Sequence, residues 1–448
     1  MADSLTAPRA RSTPEQRGWY WYDWANSAFQ TTVTTVFAGP YLTAVARAAA
    51  DGSGYVHPLG VPVRAGAYFP YLVSLSALLQ VLCMPVLGAI ADRTGRRRLL
   101  LGLLAYLGAG TGLLLWLVTG GRYLLGGLLF LVSTVAFGSA NVVYAAFLPD
   151  IATPDERDGV SSKGWAFGYL GGGLLLAANL VLFRLADAGT VPLAEGTAVR
   201  LSMASAALWW AGFTVIPLVR LRDPAGRVAL AGGVLRAGFG QLWATFGRLG
   251  HAPATLLFLA AYLLYNDGVQ TVISQSSVYA DQELRMSASV IIVAILLVQF
   301  VAMAGAWLMG RLAERYGAKR VVLASLLVWI SVLAYAFVLP AGRVSPFFVL
   351  AVLIGFVLGG TQALSRSLFS HMVPHGREAE YFSLYEIADR GTSWLGTLLF
   401  GLALQFSDNY RLAIISLLVF FVLGFALLAR TPVRAAIAEA GNPAPTRL

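Results

Sequence analysis

The chain has 448 residues, of which 58% are hydrophobic and 12% are charged, and its formal net charge is +10. Soluble proteins carry about 25% charged residues, so this composition cannot cover the surface of a large soluble domain. We therefore exclude a soluble enzyme, a nucleic-acid-binding domain and a disordered protein. The composition predicts an integral membrane protein in contact with the lipid bilayer.

Continuous apolar runs predict an all-α membrane fold. A bilayer-crossing helix needs about 20 apolar residues, whereas a transmembrane barrel would show short alternating segments. Twelve runs qualify, with limits good to a few residues: 20–46, 66–91, 98–118, 122–149, 163–186, 201–220, 253–280, 286–310, 320–340, 345–373, 380–406 and 410–430. We number them spans 1 to 12. They predict two six-helix bundles, over 20–221 and 253–430.

The segments outside the bundles set the expected orientation. They are an N-terminal tail over 1–19, an Arg-rich central loop over 222–252 and a C-terminal tail over 431–448. With both termini inside, the inner segments hold 22 basic residues and the outer segments hold 8. Basic residues favour the cytoplasmic side, so both termini and the central loop are expected there. The Arg-, Ala-, Gly- and Leu-rich composition is typical of a bacterial chain and so predicts the plasma membrane.

An eleven-residue motif occurs once in each half. Gly-x-x-Ala-acid-Arg-x-Gly-x-base-Arg begins at Gly88, after span 2, and again at Gly310, after span 8. The first glycine permits close helix approach, the acid can cap a helix N-terminus or pair with an arginine, and the second glycine turns the chain. We interpret the motif as a conformational latch, with topology anchoring alone as the alternative. The latch candidates are Gly88, Asp92, Arg93, Gly95 and Arg96 in the first half, and Gly310, Glu314, Arg315 and Gly317 in the second.

Both copies of this motif resemble the loop 2–3 signature of the major facilitator superfamily. Four further segments resemble its vacuole-effluxer-like branch, which joins fungal autophagy-related vacuolar amino-acid exporters with many bacterial proteins: Trp21–Phe29, Ala146–Ile151, Tyr265–Thr271 and Gly360–Ser367. The resemblance covers about residues 17 to 430. It implies a twelve-helix, alternating-access transporter whose spans 1, 4, 7 and 10 line a central cavity. It also makes amino acids the first expected substrate.

Polar side chains inside the spans are the candidate site residues, because ionisable groups in a bilayer usually mark a pathway or a partner. Asp23 and Asn26 in span 1 have the same spacing as Asp267 and Gln270 in span 7. These spans are equivalent in the two halves, so the two pairs are expected to face each other near the substrate. The candidates for substrate binding or proton coupling are Asp23, Asn26, Asn141, Tyr144, Tyr265, Asn266, Asp267, Gln270, Gln362, Arg366 and Asp389.

Several of these residues have a structural alternative. Asp23 can be a solvated cap or the partner of an arginine in the latch, and Asp267 can serve helix packing. Arg366 can bind an anionic group of the substrate, or it can pair with Asp389 or Glu386 inside the protein. The sequence leaves each alternative open.

The preferred function is a secondary active transporter that exports a small polar organic solute, with amino acids first and with protons as an optional coupling ion. The alternatives are a drug or metabolite transporter of the same fold, and a membrane scaffold or sensor that does not transport. The polar residues of spans 1, 4, 7 and 10 argue against a scaffold. We expect no enzyme activity, cofactor or metal, since the sequence has no nucleophile-and-base pattern, metal-ligand spacing or phosphate loop. A monomer without a nucleic-acid partner is expected.

Overall fold

The computed structural model describes residues 12–223, 252–390 and 394–447. Nearly all of them are helical. A two-stranded antiparallel sheet follows span 1, in which Tyr55–Val56 pairs with Val63–Arg64. Most of the predicted central loop over 222–252, and the first eleven residues of the predicted N-terminal tail, lie outside the described residues.

The helices follow the order of the predicted spans. Spans 1 to 6 are Pro14–Phe29 continued by Gln30–Phe37 and Ala38–Ala48, then Tyr68–Thr94, Arg97–Leu114, Tyr123–Ala145, Arg157–Asp187 and Glu195–Arg220, with a short helix Leu148–Ile151 before span 5. Spans 7 to 12 are Pro253–Gln282, Ala288–Tyr316, Ala318–Val338, Val344–His371, Glu378–Arg390 with Trp394–Ser407, and Tyr410–Ser416 with Leu418–Arg430.

Ten of the spans are, within the described residues, long and apolar enough to cross a membrane by themselves. The other two are span 1, which is interrupted by a π-helical segment, and span 11, which consists of a polar first helix and an apolar second helix Trp394–Ser407. The twelve helical passes make the chain an all-α multi-pass membrane protein, as the sequence predicts.

Span 1 begins earlier than its predicted limit at residue 20. Thr13 and Gln16 form a capping box, in which the Thr13 hydroxyl accepts from the Gln16 amide and the Gln16 side chain accepts from the Thr13 amide, both at 3.1 Å. Pro14 occupies the first helical position, where its missing N–H loses no helical bond. The predicted tail over 1–19 is therefore too long, because its residues from Pro14 onward are helical.

The predicted C-terminal tail over 431–448 is packed against the protein. A short helix, Val433–Glu439, buries one apolar face. Beyond it, the Asn442 side chain donates to the carbonyl groups of His371 at 2.9 Å and Val373 at 2.7 Å, where span 10 ends. The following residues reach the end of span 8. This segment therefore covers the ends of two spans of the second half.

Spans 8 and 10 pack with their backbones in contact. Gly359 faces the carbonyl of Ala302, and Gly305 faces the carbonyl of Phe356, so a Cβ on either glycine would overlap with backbone atoms. Small residues permit this approach in a bilayer, where packing rather than the hydrophobic effect drives association between helices. The glycines thus fix the seam between two spans that line the cavity described below.

Replacing Gly359 by alanine should destabilise the protein. Overpacking of a tight contact costs about 1–3 kcal/mol, which exceeds the gain in helix propensity of about 1 kcal/mol. Gly110→Ala in span 3 is the matched control, because a Cβ there meets open space. We expect a lower unfolding temperature in detergent for Gly359→Ala and an unchanged or higher one for Gly110→Ala. Equal midpoints would contradict this packing.

Candidate functional site

A cavity of about 510 Å³ lies between the two halves. Its lining runs from the middle of the spans toward the end at which spans 2, 4 and 10 begin, with Ser76, Phe130 and Phe347 near that end. We call this end the open face, and the end at which span 1 begins the closed face. Gln362 and Asp389 mark the floor of the cavity, from which the spans continue to the closed face.

The lining is largely apolar and almost uncharged. Its hydrogen-bonding side chains are mainly hydroxyl and amide groups: Ser27, Gln30, Thr31, Thr34, Thr35, Ser76, Gln80, Thr134, Gln270, Ser276, Ser277, Gln299 and Gln362. Asp389 is the one carboxylate among the described lining residues, which include no Arg, Lys or His. A ligand in this cavity therefore meets many neutral hydrogen-bonding groups and a single negative charge.

The π-helical segment Gln30–Phe37 of span 1 contributes five lining residues that were not among the sequence candidates. They are Gln30, Thr31, Thr34, Thr35 and Val36. π segments inside α-helices occur frequently at functional sites. The sequence signal was the run of amide and hydroxyl side chains in an otherwise apolar span.

Asp389 lies at the centre of a floor network. Its Oδ1 accepts hydrogen bonds from the Tyr262 hydroxyl at 2.9 Å, from Asn266 Nδ2 at 2.9 Å and from Gln270 Nε2 at 3.4 Å. Gln362 Nε2 donates to Asn266 Oδ1 at 2.8 Å. The structure thus brings together four sequence candidates from spans 7, 10 and 11, and adds Tyr262. These donors fix the orientation of the carboxylate at the cavity floor.

Tyr265 and Asp267 lie on other sides of span 7. The Tyr265 hydroxyl is 2.7 Å from Ser365 Oγ, within the second half. Asp267 is buried beside Gly396 of span 11, does not line the cavity, and has no hydrogen-bond partner of good geometry among the described residues.

The expectation that the Asp23 and Asp267 pairs face each other near the substrate is therefore wrong. Residues three apart differ by about 60° around a helix. That difference places Gln270 in the cavity and Asp267 against span 11. Asp23 also has a different environment, because it contacts Arg366.

Arg366 forms an inner gate below the floor network. Its Nη2 donates to Asp23 Oδ2 at 3.1 Å and to the Ser161 carbonyl at 3.0 Å, and its Nε donates to Ser161 Oγ at 3.0 Å. The guanidinium also lies 4.5 Å from the centre of the Trp19 ring. We define the inner gate as Trp19, Asp23, Ser161 and Arg366. It joins span 10 of the second half to spans 1 and 5 of the first.

In this conformation Arg366 forms an ion pair that the sequence alternatives did not include. Its ion-pair partner is Asp23, not Asp389 or Glu386 as the sequence alternative proposed. Asp23 pairs with Arg366, so it is neither a solvated cap nor a partner of the loop arginines. A buried arginine requires a nearby carboxylate, and span 1 supplies it from the opposite half.

Asn26, Asn141 and Tyr144 support the gate from within the first half. Asn26 Nδ2 donates to Asn141 Oδ1 at 2.7 Å, which ties span 1 to span 4. The Tyr144 ring stacks on Trp19 with centres 4.5 Å apart, and Trp19 Nε1 donates to the Tyr144 carbonyl at 3.0 Å. These three candidates do not line the cavity. They hold the helix that carries Asp23.

The repeated motif supplies a second closure, which we call the latch cluster. Arg97 is only 2% exposed and contacts Asp92 at 2.7 Å, Asp150 at 2.7 Å and Glu378. Asp92 also accepts from the backbone N–H groups of Ala379 at 3.0 Å and the next residue at 2.9 Å, in the first turn of span 11. Asp92 therefore makes both contacts that the motif allows, a pair with an arginine and a helix cap.

The glycines of both motif copies lie at close approaches or turns. A Cβ on Gly88 would lie 2.5 Å from the carbonyl oxygen of Ala379, and one on Gly310 would lie 2.5 Å from the side chain of Ser162. Gly95 and Gly317 have φ angles of +61° and +91°, in the region that favours glycine.

The acid of the second copy occupies a place equivalent to that of Asp92. Glu314 Oε1 lies 2.7 Å from where a Cβ on Gly159 would be, in the first turn of span 5. Each motif thus directs its acid toward the start of a span in the opposite half.

The centre of the latch cluster is a residue that the candidates did not include. They named Arg93, Arg96 and Arg315, of which Arg96 and Arg315 are exposed. The buried cation is Arg97, the next residue along the chain. The sequence offered four arginines within six residues, and only the start of span 3 at Arg97 distinguishes the one that points into the protein.

Two helical halves surround a cavity that is open at one face and shut at the other by ion pairs between the halves. This arrangement defines a multi-pass membrane transporter of the major facilitator fold rather than an enzyme. The particular family follows from sequence similarity. Residues 11–441 match the family described as "Vacuole effluxer Atg22 like". The chain belongs to this family, a branch of the major facilitator superfamily, as the sequence motifs indicated.

Two relatives illustrate the range of the family. The chain is 32% identical over 424 residues to the Uncharacterized MFS-type transporter YxiO of Bacillus subtilis (strain 168), covering 94% of this chain and 96% of that one. It is 29% identical over 453 residues to Autophagy-related protein 22 of Yarrowia lipolytica, covering 81% of this chain and 75% of the relative.

Solved structures show the same fold at low sequence identity. The proton:xylose symporter XylE, bound to 6-bromo-6-deoxy-D-glucose, superposes with a TM-score of 0.70 at 14% identity and covers 93% of this chain and 95% of its own. FucP in the outward conformation superposes with a TM-score of 0.67 at 11% identity, covering 93% and 99%. Both are transporters of the major facilitator superfamily.

Neutralising Asp92 should loosen the closed face. Removing one charge of a buried ion pair costs about 3–5 kcal/mol, and Asp92→Asn also weakens the cap on span 11. We expect maleimide to label a cysteine introduced at the buried Ser162, in a Cys83→Ser background, at least about tenfold faster. Asp187→Asn, which changes an exposed acid, is the control. Equal labelling rates in Asp92→Asn and the control would contradict a latch.

Proposed function

We propose that this chain exports amino acids from the cytoplasm by alternating access, as a secondary active transporter of the plasma membrane. The observation that carries the proposal is the cavity between the halves, whose closure at one face consists of contacts between those halves. A rocking motion that separates these contacts would expose the same cavity to the other face. The family description as an effluxer supports the direction of transport.

The proposed orientation places the closed face in the cytoplasm. The two termini, the latch loops and the chain between the halves belong to this side, and they carry most of the basic residues. The positive-inside rule supports this assignment. The conformation described is then outward-open, the state from which an exporter has released its substrate.

The cavity suits a small zwitterion. Its volume falls in the range of roughly 300–1,000 Å³ typical of small-molecule sites. Asp389 can accept an ammonium group. Trp165 Nε1 is a buried donor of the lining without a hydrogen-bond partner among the described residues, and together with the glutamine amides it can donate to a carboxylate.

Protonation of Asp23 offers a direct route to proton coupling. The Asp23 carboxylate is the charge that holds Arg366 in the inner gate. A proton on Asp23 removes that attraction and favours separation of spans 1 and 10. In this scheme the proton acts on the inner gate and not on the bound substrate. This assigns coupling to Asp23 in preference to Asp267, the other candidate from the sequence, which lies outside both the cavity and the gate.

Transport by proteoliposomes tests these assignments. With a pH gradient imposed, wild-type protein should accumulate one or more labelled amino acids against their gradients. Asp23→Asn should abolish accumulation while it retains exchange of labelled for unlabelled substrate, because the asparagine cannot carry the proton.

One control variant and two contradicting outcomes complete this assay. Asp281→Asn, a change of an exposed acid at the end of span 7, should behave as wild type. Loss of accumulation in Asp267→Asn alone would move the coupling site to that residue. No transport of any amino acid by wild-type protein would overturn the amino-acid proposal.

A second candidate is efflux of amphipathic organic cations. The observation that favours it is the set of aromatic rings in the described lining: Phe130, Phe137, Trp165, Tyr169, Tyr279 and Phe347. Cationic drugs that compete with amino acids in the same assay would extend the substrate range. Transport of such cations alone would replace the amino-acid function.

A further inference from the structure

We propose that a second pocket, at the closed face between spans 5 and 8, binds the phosphate group of a phospholipid. We call it the side pocket. Its volume is about 190 Å³, and it shares no lining residue with the cavity among the described residues. The lining consists of Gly159, Ser162, Lys163, Trp307, Gly310, Arg311 and Glu314.

Two bases from opposite halves face the side pocket. Lys163 lies in the second turn of span 5, and Arg311 lies near the end of span 8. Lys163 Nζ lies 3.5 Å from Ser12 Oγ, and neither base has an ion-pair partner among the described residues. Both charges are therefore available to an anion in the pocket.

The Trp307 ring holds the Arg311 guanidinium in place. Arg311 Cζ lies 3.4 Å from the centre of this ring, in a cation–π contact. A guanidinium with one face against a ring keeps its N–H groups free at the edge, where they can bind phosphate bidentately. The stacking thus orients Arg311 without occupying its donors.

A buried hydroxyl adds a third donor. Ser162 is 2% exposed and lines the side pocket, and its Oγ has no hydrogen-bond partner among the described residues. A buried polar group without a partner is costly to stability. A phosphate oxygen in the pocket would accept from this hydroxyl as well as from the two bases.

Glu314 is the one acid among the described lining residues. Its Oε1 lies 2.7 Å from where a Cβ on Gly159 would be, so it is directed at the first turn of span 5. The N-terminus of a helix is a favourable place for a carboxylate. Two bases against one acid leave the described lining with a net positive charge.

The position of the side pocket favours a lipid as the source of the phosphate. Trp307 and Leu308 are 45% and 40% exposed on a helix that crosses the membrane, and they do not line the cavity, so they face the bilayer. Tryptophan is enriched at membrane interfaces, and basic pockets between helices on the cytoplasmic side bind lipid headgroups. The choice of the cytoplasmic leaflet rests on the orientation proposed above.

Three matched ligands test the proposal on the detergent-purified full-length protein. They are dioleoyl-phosphatidylglycerol, dioleoylglycerol, which has the same chains without phosphate, and glycerophosphate, which has phosphate without the chains. A ligand that binds the folded state raises its unfolding temperature. We expect dioleoyl-phosphatidylglycerol to raise it more than either of the other two.

Variants connect this difference to the side pocket. The double variant Lys163→Gln and Arg311→Gln should lose most of the difference between dioleoyl-phosphatidylglycerol and dioleoylglycerol, and Ser162→Ala should lose part of it. The control is Arg430→Gln with Arg434→Gln, which removes two exposed charges from the same face and should keep the difference. A variant that is merely less stable unfolds at a lower temperature with both lipids, so the difference reports on phosphate binding.

A phosphate held by both bases would also bridge the halves and stabilise the shut closed face. Spin labels at the exposed Leu99 and Tyr316, in a Cys83→Ser background, measure this effect in nanodiscs of dioleoyl-phosphatidylglycerol. We expect longer distances in the Lys163 and Arg311 double variant than in the control double variant. Equal distances would overturn the bridging role.

The remaining outcomes decide the site and its source. Equal effects of the two lipids on wild-type protein, an undiminished difference in the Lys163 and Arg311 double variant, or an equal loss in the control would each overturn the side pocket as a phosphate site. Stabilisation by glycerophosphate as strong as that by the phospholipid, and lost in the same double variant, would retain the phosphate site and overturn the lipid as its source. No outcome depends on the transported solute, so the proteoliposome assay tests the transport proposal separately.

Discussion

A buried positive charge at the boundary between the halves is the constraint on which the rest of the structure depends. Arg97 is almost completely inaccessible, so its charge requires carboxylates within hydrogen-bonding distance. Asp92 and Asp150 come from the first half and Glu378 from the second. The contact with Glu378 joins the two halves, so it requires the closed face to be shut. Arg366 and Asp23 form a second buried ion pair between the halves, closer to the cavity than the latch cluster. The ion pairs between the halves therefore stabilise the shut closed face.

Span 11 links the latch cluster to the cavity floor. Its first helix, Glu378–Arg390, begins with the residue that pairs with Arg97 and carries Asp389 near its other end. At about 1.5 Å per residue, the two acids are about 16 Å apart along one helix. A single helix thus joins the floor network to the latch cluster.

The sequence predicted the architecture because its signals are periodic and strong. Continuous apolar runs identified the spans, and the motif repeated from Gly88 and Gly310 located contacts between the halves at the closed face. Polar side chains inside spans led to Asp389, Asn266, Gln270 and Gln362, which the structure places in one network. In lipid such residues are rare enough to stand out without any knowledge of the fold.

What the sequence did not predict depends on rotation about helix axes and on contacts between halves. A rotation of about 60° separates Asp267 from Gln270, and this difference decided which of the two lines the cavity. The partner of Arg366 lies 343 positions away along the chain, at Asp23, so local spacing pointed to the wrong acids. Arg97 differs from its exposed neighbour Arg96 only in its position at the start of span 3.

The most direct test of the account measures distances between the halves at both faces. Spin labels at Leu99 and Tyr316 report on the closed face, and labels at Leu124 and Val344 report on the open face, all exposed positions in a Cys83→Ser background. Pulsed electron paramagnetic resonance should show longer closed-face and shorter open-face distances in Arg97→Gln than in the parent protein. If both distributions stay unchanged when Arg97 loses its charge, the ion pairs between the halves do not control the conformation.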